Sequence, residues 1–162
     1  MPTATVQTIY CVQAATGTDF AANQALVNAI MGLTPQFTQN DFASSLLQGI
    51  KSLPSVLAAI DAVRADPDDL YITTDTEGDV DNAVWPLPGN TKEVNAEQSF
   101  EPGLVLPFEY SQNLSLWDSD VSGDDLLGSV TMTADEQGIG EIAKIARSDI
   151  EGSAYYVIYR VD

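Results

Sequence analysis

The sequence predicts a mainly β protein, built as a two-layer antiparallel β-sandwich with a three-helix insertion after the first strand. Apolar and polar residues alternate in several short runs, as they do in strands with one buried face. Residues 154–161 are dense in aromatic and β-branched side chains, so we expect this last strand to lie inside a sheet. Between residues 19 and 65 the apolar period changes from 2 to 3.6, which indicates helices.

The first strand is predicted over Thr3–Gln13. Its alternation predicts two faces, one with Val6, Thr8, Tyr10 and Val12 and the other with Gln7, Ile9 and Cys11. Cys11 is the only cysteine, so the chain forms no internal disulfide. Because the sequence contains no histidine to act as its base, we expect Cys11 to be a small buried apolar residue.

Three apolar stripes with helical spacing follow, and Pro35 and Pro54 separate them. Amphipathic helices of this kind must pack on each other or on a sheet. We expect one domain over residues 1–162, with the helical insertion at about 19–65. The insertion either closes one end of the sandwich or serves as a partner-binding or assembly module.

The strong negative charge of the chain excludes several partners. Six Lys and Arg residues stand against 24 Asp and Glu residues, which gives a net charge of −18. Such a field repels nucleic acid and anionic bilayers unless bound cations change the local sign. It also suits a solvated acidic surface in salty surroundings. Without histidine, neither a Cys/His nor a Ser/His/Asp mechanism is available, and we expect no enzyme.

An acidic loop lies between two alternating runs at residues 113–132, and the rest of the chain is organised around it. It carries Asp118, Asp120, Asp124 and Asp125 within eight residues. Their mutual repulsion costs free energy unless a cation neutralises it. Oxygen ligands without histidine or thiol nearby favour Ca²⁺, with Mg²⁺ second. The loop therefore predicts a calcium site.

Two known patterns overlap on this loop. The run Asp118-Ser-Asp120-Val-Ser122-Gly123 resembles the opening of an EF-hand loop, but the twelfth position is Ser129 where that loop has Glu, and strands flank it. The longer run from Leu114 to Gly128, with D-x-D followed by D-x-L-G, resembles the third calcium loop of C2 domains. The C2 resemblance accounts for the flanking strands as well as the aspartates.

The C2 resemblance extends to the first calcium loop of that family, because Asp69-Leu-Tyr71-Ile72 is similar to its D-P-Y-V step. The Trp85-Pro86 pair also resembles a bacterial C2-like subgroup. The spacing leaves open whether Asp124 or Asp125 is the last ligand of the third loop. The resemblance implies Ca²⁺ as the cofactor and the metal ligands Asp118, Asp120, Asp125, Asp69 and Asp19, with Asp124 as the alternate.

We therefore expect a non-enzymatic calcium-binding module in which calcium stabilises the fold and mediates protein–protein contact or self-assembly. The expected partner is another protein or a second copy, with no nucleic acid. A calcium-dependent phospholipid- or glycan-binding module is the alternative, followed by a carboxylate-based hydrolase. Membrane contact would occur only through calcium, because Val121 and Trp117 are the only apolar residues near the loop tip and the loop has no Lys or Arg.

We expect a bacterial protein that is extracellular or at the cell surface, and otherwise cytoplasmic. The first residues lack the basic and apolar regions of a secretory signal, and no apolar run is long enough to span a membrane. Two local expectations complete the prediction. The acidic segment 75–82 is either a solvated tight turn before a strand at 83–87 or a further calcium site. Residues 138–150 are expected to hold a short helix.

Overall fold

The computed structural model describes residues 1–15, 67–121, 123–148 and 150–162. The expected three-helix insertion at 19–65 and Asp19 lie outside these residues. Within them the protein is mainly β, with two 3-10 helices of three residues each, Val80–Asn82 and Ala134–Glu136. The described helices include none long and apolar enough to cross a membrane.

The described strands form two antiparallel sheets. The strand bounds are β1 Thr3–Gln13, β2 Asp68–Thr73, β3 Lys92–Val94, β4 Ser99–Phe100, β5 Leu104–Pro107, β6 Ser111–Asp118, β7 Asp125–Thr133, β8 Ile142–Ser148 and β9 Ser153–Val161. In the first sheet the order is β4-β1-β9-β8, and β5 also pairs with β1. In the second sheet the order is β3-β2-β6-β7.

Both sheets contribute side chains to one hydrophobic core, so they pack as two layers. The first sheet supplies Val6, Ile9, Cys11, Tyr155, Val157 and Tyr159, and the second sheet supplies Leu70, Ile72, Leu114, Leu116 and Leu127. Cys11 is buried in this core, as predicted. Strand β9 lies between β1 and β8, which confirms the expectation of an internal closing strand.

The predicted faces of β1 are wrong because the strand contains a β-bulge. Val6 pairs with Tyr159 and Thr8 pairs with Ile158, so the register shifts around Gln7. An extra residue on one strand moves every following side chain to the opposite face. Val6 therefore shares the core with Ile9 and Cys11, while Tyr10 and Val12 are buried outside that core cluster.

Two other local expectations are also wrong. Residues 142–148 form strand β8 instead of a helix, because pairing with β9 overrides the helical spacing of Ile142, Ile145 and Ala146. The strand expected at 83–87 is reduced to one bridge between Ile72 and Trp85. Pro86 has no N–H with which to extend that pairing.

Gly128 allows the edge strands of the two sheets to approach each other closely. Its φ is +148°, and a Cβ atom at this position would lie 2.3 Å from the backbone nitrogen of Arg147. Strand β7 of the second sheet therefore runs directly against β8 of the first sheet. This approach places the loop between β6 and β7 near the loop between β8 and β9.

Candidate functional site

Carboxylates from distant parts of the chain meet at one end of the two sheets. Strand β2 begins there, β6 ends there and β7 begins there, with Asp118 opposite Leu70 on one side and opposite Asp125 on the other. Residues directly opposite in a ladder present their side chains on the same face. Asp118 and Asp125 therefore share the face of the second sheet that carries Leu70 and the core.

Asp118 joins the β6–β7 loop to the start of β2. Its Oδ1 accepts a hydrogen bond of 2.7 Å from the backbone N–H of Asp69, and the N–H of Ser119 donates to the carbonyl of Asp69 at 2.9 Å. Burial raises the pKa of Asp118, and the negative charges of Asp69, Asp120 and Asp125 raise it further. The structure thus places three of the other predicted ligands, Asp69, Asp120 and Asp125, close enough to Asp118 for their charges to repel its carboxylate.

Glu151 adds a fifth carboxylate, from the β8–β9 loop of the other sheet. Burial raises its pKa, and the charges of Asp125 and Asp118 add to that increase. The sequence did not indicate Glu151, because the residues around it do not have the spacing of a metal-binding motif. Only the approach of β7 to β8 brings Glu151 near Asp118 and Asp125. The five residues Asp69, Asp118, Asp120, Asp125 and Glu151 are called the acidic end below.

Asp124 and Asp125, either of which the sequence allowed as the last ligand of the loop, lie in different surroundings. The hydroxyl of Tyr71 donates a hydrogen bond of 2.5 Å to Asp124 Oδ2. Tyr71 faces away from the shared core and stacks on Trp117. Burial, the bond to Asp124 and the charges of Asp79 and Asp75 hold the pKa of Tyr71 well above its ordinary value. Asp124 therefore lies with the outer face of the second sheet.

The acidic turn at 75–82 folds back on this outer face. Asp75 Oδ1 accepts from the N–H of Glu77 at 3.2 Å, and Asp79 Oδ1 accepts from the N–H of Asp81 at 2.9 Å. Gly78 packs so closely on Trp117 that a Cβ atom would lie 2.6 Å from the indole ring. These contacts are those of a tight turn with local Asx bonds. A calcium site in this turn stays a prediction.

A buried carboxylate, Asp68, lies beside the acidic end on the core face of β2. It is 1% exposed, and it accepts hydrogen bonds from the N–H of Ala15 at 2.9 and 3.2 Å and from the hydroxyl of Tyr155. Burial raises its pKa from 3.8 to about 7 although these bonds oppose the shift, and the charges of Asp118 and Asp69 add to it. Its alternation with Leu70 and Ile72 is the sequence signal for this inward face.

The chemistry of the acidic end suits calcium in kind, because every donor is a carboxylate oxygen. The side chains of Asp69 and Asp120 are exposed, and those of Asp118, Asp125 and Glu151 are partly buried. Nevertheless, across residues 1–15, 67–121, 123–148 and 150–162, no group of three or more acidic or cysteine side chains is spaced to hold a metal ion. The carboxylates therefore lie near one another, but their oxygens are not arranged as a complete set of metal ligands.

No protein-family model and no curated protein matches this sequence. Two solved structures of human GIVD cytosolic phospholipase A2 have detectable structural similarity. In its complex with methyl gamma-linolenyl fluorophosphonate and terbium chloride, that enzyme is 11% identical in sequence to this chain, with a TM-score of 0.34. The match covers 99% of this chain and 17% of the enzyme. In its complex with the same inhibitor alone, the enzyme is 14% identical in sequence, with a TM-score of 0.33. That match covers 99% of this chain and 16% of the enzyme. This chain thus spans about a sixth of those enzymes, and similarity at this level assigns no family.

Proposed function

We propose that this chain is a non-enzymatic C2-like calcium-binding module, in which calcium stabilises the fold and links the chain to a protein partner or to a second copy. The supporting observation is the acidic end itself. Asp118 lies opposite Asp125 and accepts a hydrogen bond from the N–H of Asp69, and the charges of Asp118 and Asp125 act on Glu151 from the other sheet. Placing like charges at one point raises the free energy of the folded state unless a cation offsets their repulsion.

The proposed ligands are Asp118 and Asp125 from the two sides of the β6–β7 loop, together with Asp69 and Asp120. Ca²⁺ takes six to eight oxygen ligands in flexible geometry, so small movements of exposed carboxylates can complete a set. Glu151 would add a ligand from the other sheet, and the ion would then hold the two layers together. With free calcium about a hundredfold above its dissociation constant, binding would stabilise the fold by about 2.7 kcal/mol.

A role in protein contact follows from the exposure of part of the acidic end. Asp69 and Asp120 face solvent, so an oxygen from another chain can reach an ion held there. Two copies with a charge of −18 repel each other, and shared calcium would reverse that repulsion locally. Extracellular calcium modules commonly bind with dissociation constants of about 10⁻⁴–10⁻³ M, which suits an extracellular or cell-surface location.

A phospholipid-binding module is the second candidate, and two exposed apolar side chains favour it. Val121 in the β6–β7 loop is fully exposed, and Ile150 in the β8–β9 loop is 82% exposed. Both loops flank the acidic end, so bound calcium could contact lipid phosphates while these two tips enter the bilayer. The candidate requires calcium, because the bare acidic end repels anionic lipid.

Sedimentation velocity of chelator-stripped protein, with calcium and with magnesium at equal concentration, tests the proposal. We expect larger species with calcium only, and no such shift in the double variant Asp118→Asn with Asp120→Asn. A monomer that pellets with phosphatidylserine vesicles in calcium would favour the lipid candidate. A monomer that neither pellets nor gains thermal stability in calcium would contradict both candidates.

A further inference from the structure

Strand β5 lies at an open edge of the first sheet. It pairs with Thr3–Val6 of β1 on one side, and across the part of the chain that the structure describes no strand pairs with its other side. This edge is remote from the acidic end, because Asp68 is bonded to Ala15, beyond the opposite end of β1. Backbone N–H and C=O groups along a free edge can pair with another chain. A further strand can therefore add to the first sheet at β5.

The register of β5 on β1 shows which of its backbone groups face outwards. The N–H of Phe108 donates to the carbonyl of Pro2 at 3.0 Å, which marks this pair as a hydrogen-bonded position. Such positions recur at every second residue of an antiparallel ladder, so Leu104 and Leu106 direct their backbone groups to β1. Val105 lies between them and directs its N–H and C=O away from the sheet.

The side chains of β5 make this edge apolar on both faces. Leu104 and Leu106 are partly buried and pack against the core, whereas Val105, on the opposite face, is 61% exposed. Pro107 ends the strand and contributes an outward carbonyl without an N–H. An added antiparallel strand can thus exchange both backbone bonds with Val105 and donate one to Pro107. The edge suits a short extended segment with apolar side chains on both faces.

Acidic residues flank β5 and determine which segment suits it. Glu101 precedes the strand and Glu109 follows it, and both are exposed. An antiparallel pair of two β5 strands centred on Val105 would direct Glu101 of each copy towards Glu109 of the other, because both lie equally far from Val105 in the chain. The net charge of −18 adds to this repulsion. The same carboxylates attract Lys and Arg, so the charges favour a basic partner over a second copy.

We propose that this edge binds an extended segment of another protein, in which a few consecutive apolar residues are flanked by Lys or Arg. The segment adds to the first sheet as an antiparallel strand. Its central residue exchanges hydrogen bonds with Val105, the residues beside it cover Leu104 and Leu106, and its basic ends approach Glu101 and Glu109. This contact goes beyond the calcium-dependent function proposed above, because it uses the other end of β1 and needs no metal.

The test is a calorimetric titration, in chelator, with the peptide acetyl-Lys-Thr-Val-Ile-Val-Thr-Lys-amide. We expect saturable binding, together with a shift of the Val105 amide in the ¹⁵N NMR spectrum. N-methylation of the central Ile removes the donor to the Val105 carbonyl and should weaken binding about tenfold. N-methylation of the Val before it alters an N–H that points away from β5, so affinity should change less than about twofold. This comparison leaves the protein itself unaltered.

Variants of the protein provide the second measurement. Val105→Pro removes the outward N–H without breaking a bond to β1, and it should weaken binding about tenfold while the circular dichroism spectrum stays unchanged. Glu101→Gln with Glu109→Gln should weaken binding about fivefold at low salt and much less in about 1 M salt. Glu77→Gln with Glu93→Gln removes the same charge from exposed positions outside the first sheet and should leave affinity unchanged.

Several results would overturn this proposal. They are the absence of saturable peptide binding, equal affinity for the two N-methylated peptides, or full affinity in the double variant of Glu101 and Glu109. Self-association of the protein in chelator that Val105→Pro abolishes would assign the edge to a second copy instead. All these measurements are made without calcium, so their failure leaves the calcium proposal to its own titration.

Discussion

The hydroxyl of Tyr71 holds Asp124 at 2.5 Å on the outer face of the second sheet, while Asp125 lies opposite Asp118 in the β6–β7 ladder. The two neighbouring aspartates therefore belong to different environments. If the acidic end binds calcium, Asp125 is the one of these two neighbours that is placed to join Asp118. We expect Asp125→Asn to weaken calcium binding at least tenfold, and Asp124→Asn to change it less than twofold.

Isothermal titration of both variants checks this assignment. The two substitutions remove the same charge from adjacent positions, so each serves as the control for the other. An equal loss in the two variants would point to a general effect of charge, and a larger loss in Asp124→Asn would reverse the assignment.

The contact between β7 and β8 predicts that Gly128→Ala is severely destabilising. The new Cβ atom would lie 2.3 Å from Arg147 N and 2.4 Å from Ala146 C, and backbone atoms cannot move aside cheaply. We expect a loss of at least about 3 kcal/mol in the free energy of unfolding. Gly123→Ala is the matched control: its φ is also positive, at +136°, but its Cβ would meet nothing within 4 Å. It should cost about 1–2 kcal/mol, measured by urea unfolding.

The buried carboxylate of Asp68 predicts a pH dependence of stability. Its pKa is raised from 3.8 to about 7, so between these values the folded state binds more protons than the unfolded state. The contribution of Asp68 to stability is therefore greatest at low pH and falls as pH rises towards about 7. Asp68→Asn cannot ionise, so relative to wild type the variant should gain stability as pH rises from about 4 to 7.

Urea unfolding at several pH values, in chelator, measures the difference between the two proteins. Replacing Asp68 by Asn also weakens hydrogen bonds, which changes the difference in the free energy of unfolding by the same amount at every pH. Only the slope of that difference with pH therefore reports the ionisation of Asp68. Parallel curves for wild type and Asp68→Asn would show that Asp68 is ionised in the folded state throughout this range.

An ion pair at the opposite end predicts a smaller effect. Lys144 Nζ lies 2.5 Å from Glu136 Oε1 and donates to the carbonyl of Thr131, and Glu136 Oε2 accepts from the hydroxyl of Tyr159 at 2.8 Å. Because Glu136 is only 14% exposed, Lys144→Met should cost about 1–2 kcal/mol. Arg160→Met breaks a pair whose side chains are 50% and 61% exposed, and it should cost less than about 0.5 kcal/mol. Equal costs in urea unfolding would contradict this difference.

Local alternation in the sequence predicted much of the fold. The bounds of β1, the pairing of β6 with β7 across the acidic loop and the internal position of β9 all follow from period-2 patterns and the turn between them. These features depend on residues close together in the chain. The phase of β1 did not follow, because the bulge at Gln7 is set by pairing with β9.

The remaining errors have the same physical origin. The apolar spacing in β8 is that of a helix, and pairing with the distant strand β9 overrides it. Asp68 accepts a hydrogen bond from Tyr155, which is 87 residues away in the chain. Glu151 lies on the other sheet and is close enough to Asp118 for the two charges to interact. Contacts of this kind depend on how the sheets pack, which no local pattern reports.

Calorimetric titration of calcium into chelator-stripped protein, with wild type and Asp118→Asn side by side, tests the central proposal most directly. The variant removes the carboxylate that contacts Asp69 and faces Asp125. We expect saturable heat and a raised melting temperature in the wild type, and a loss of both in the variant. No saturable heat in the wild type, together with an unchanged melting temperature, would mean that the acidic end is a solvated surface and would contradict the account.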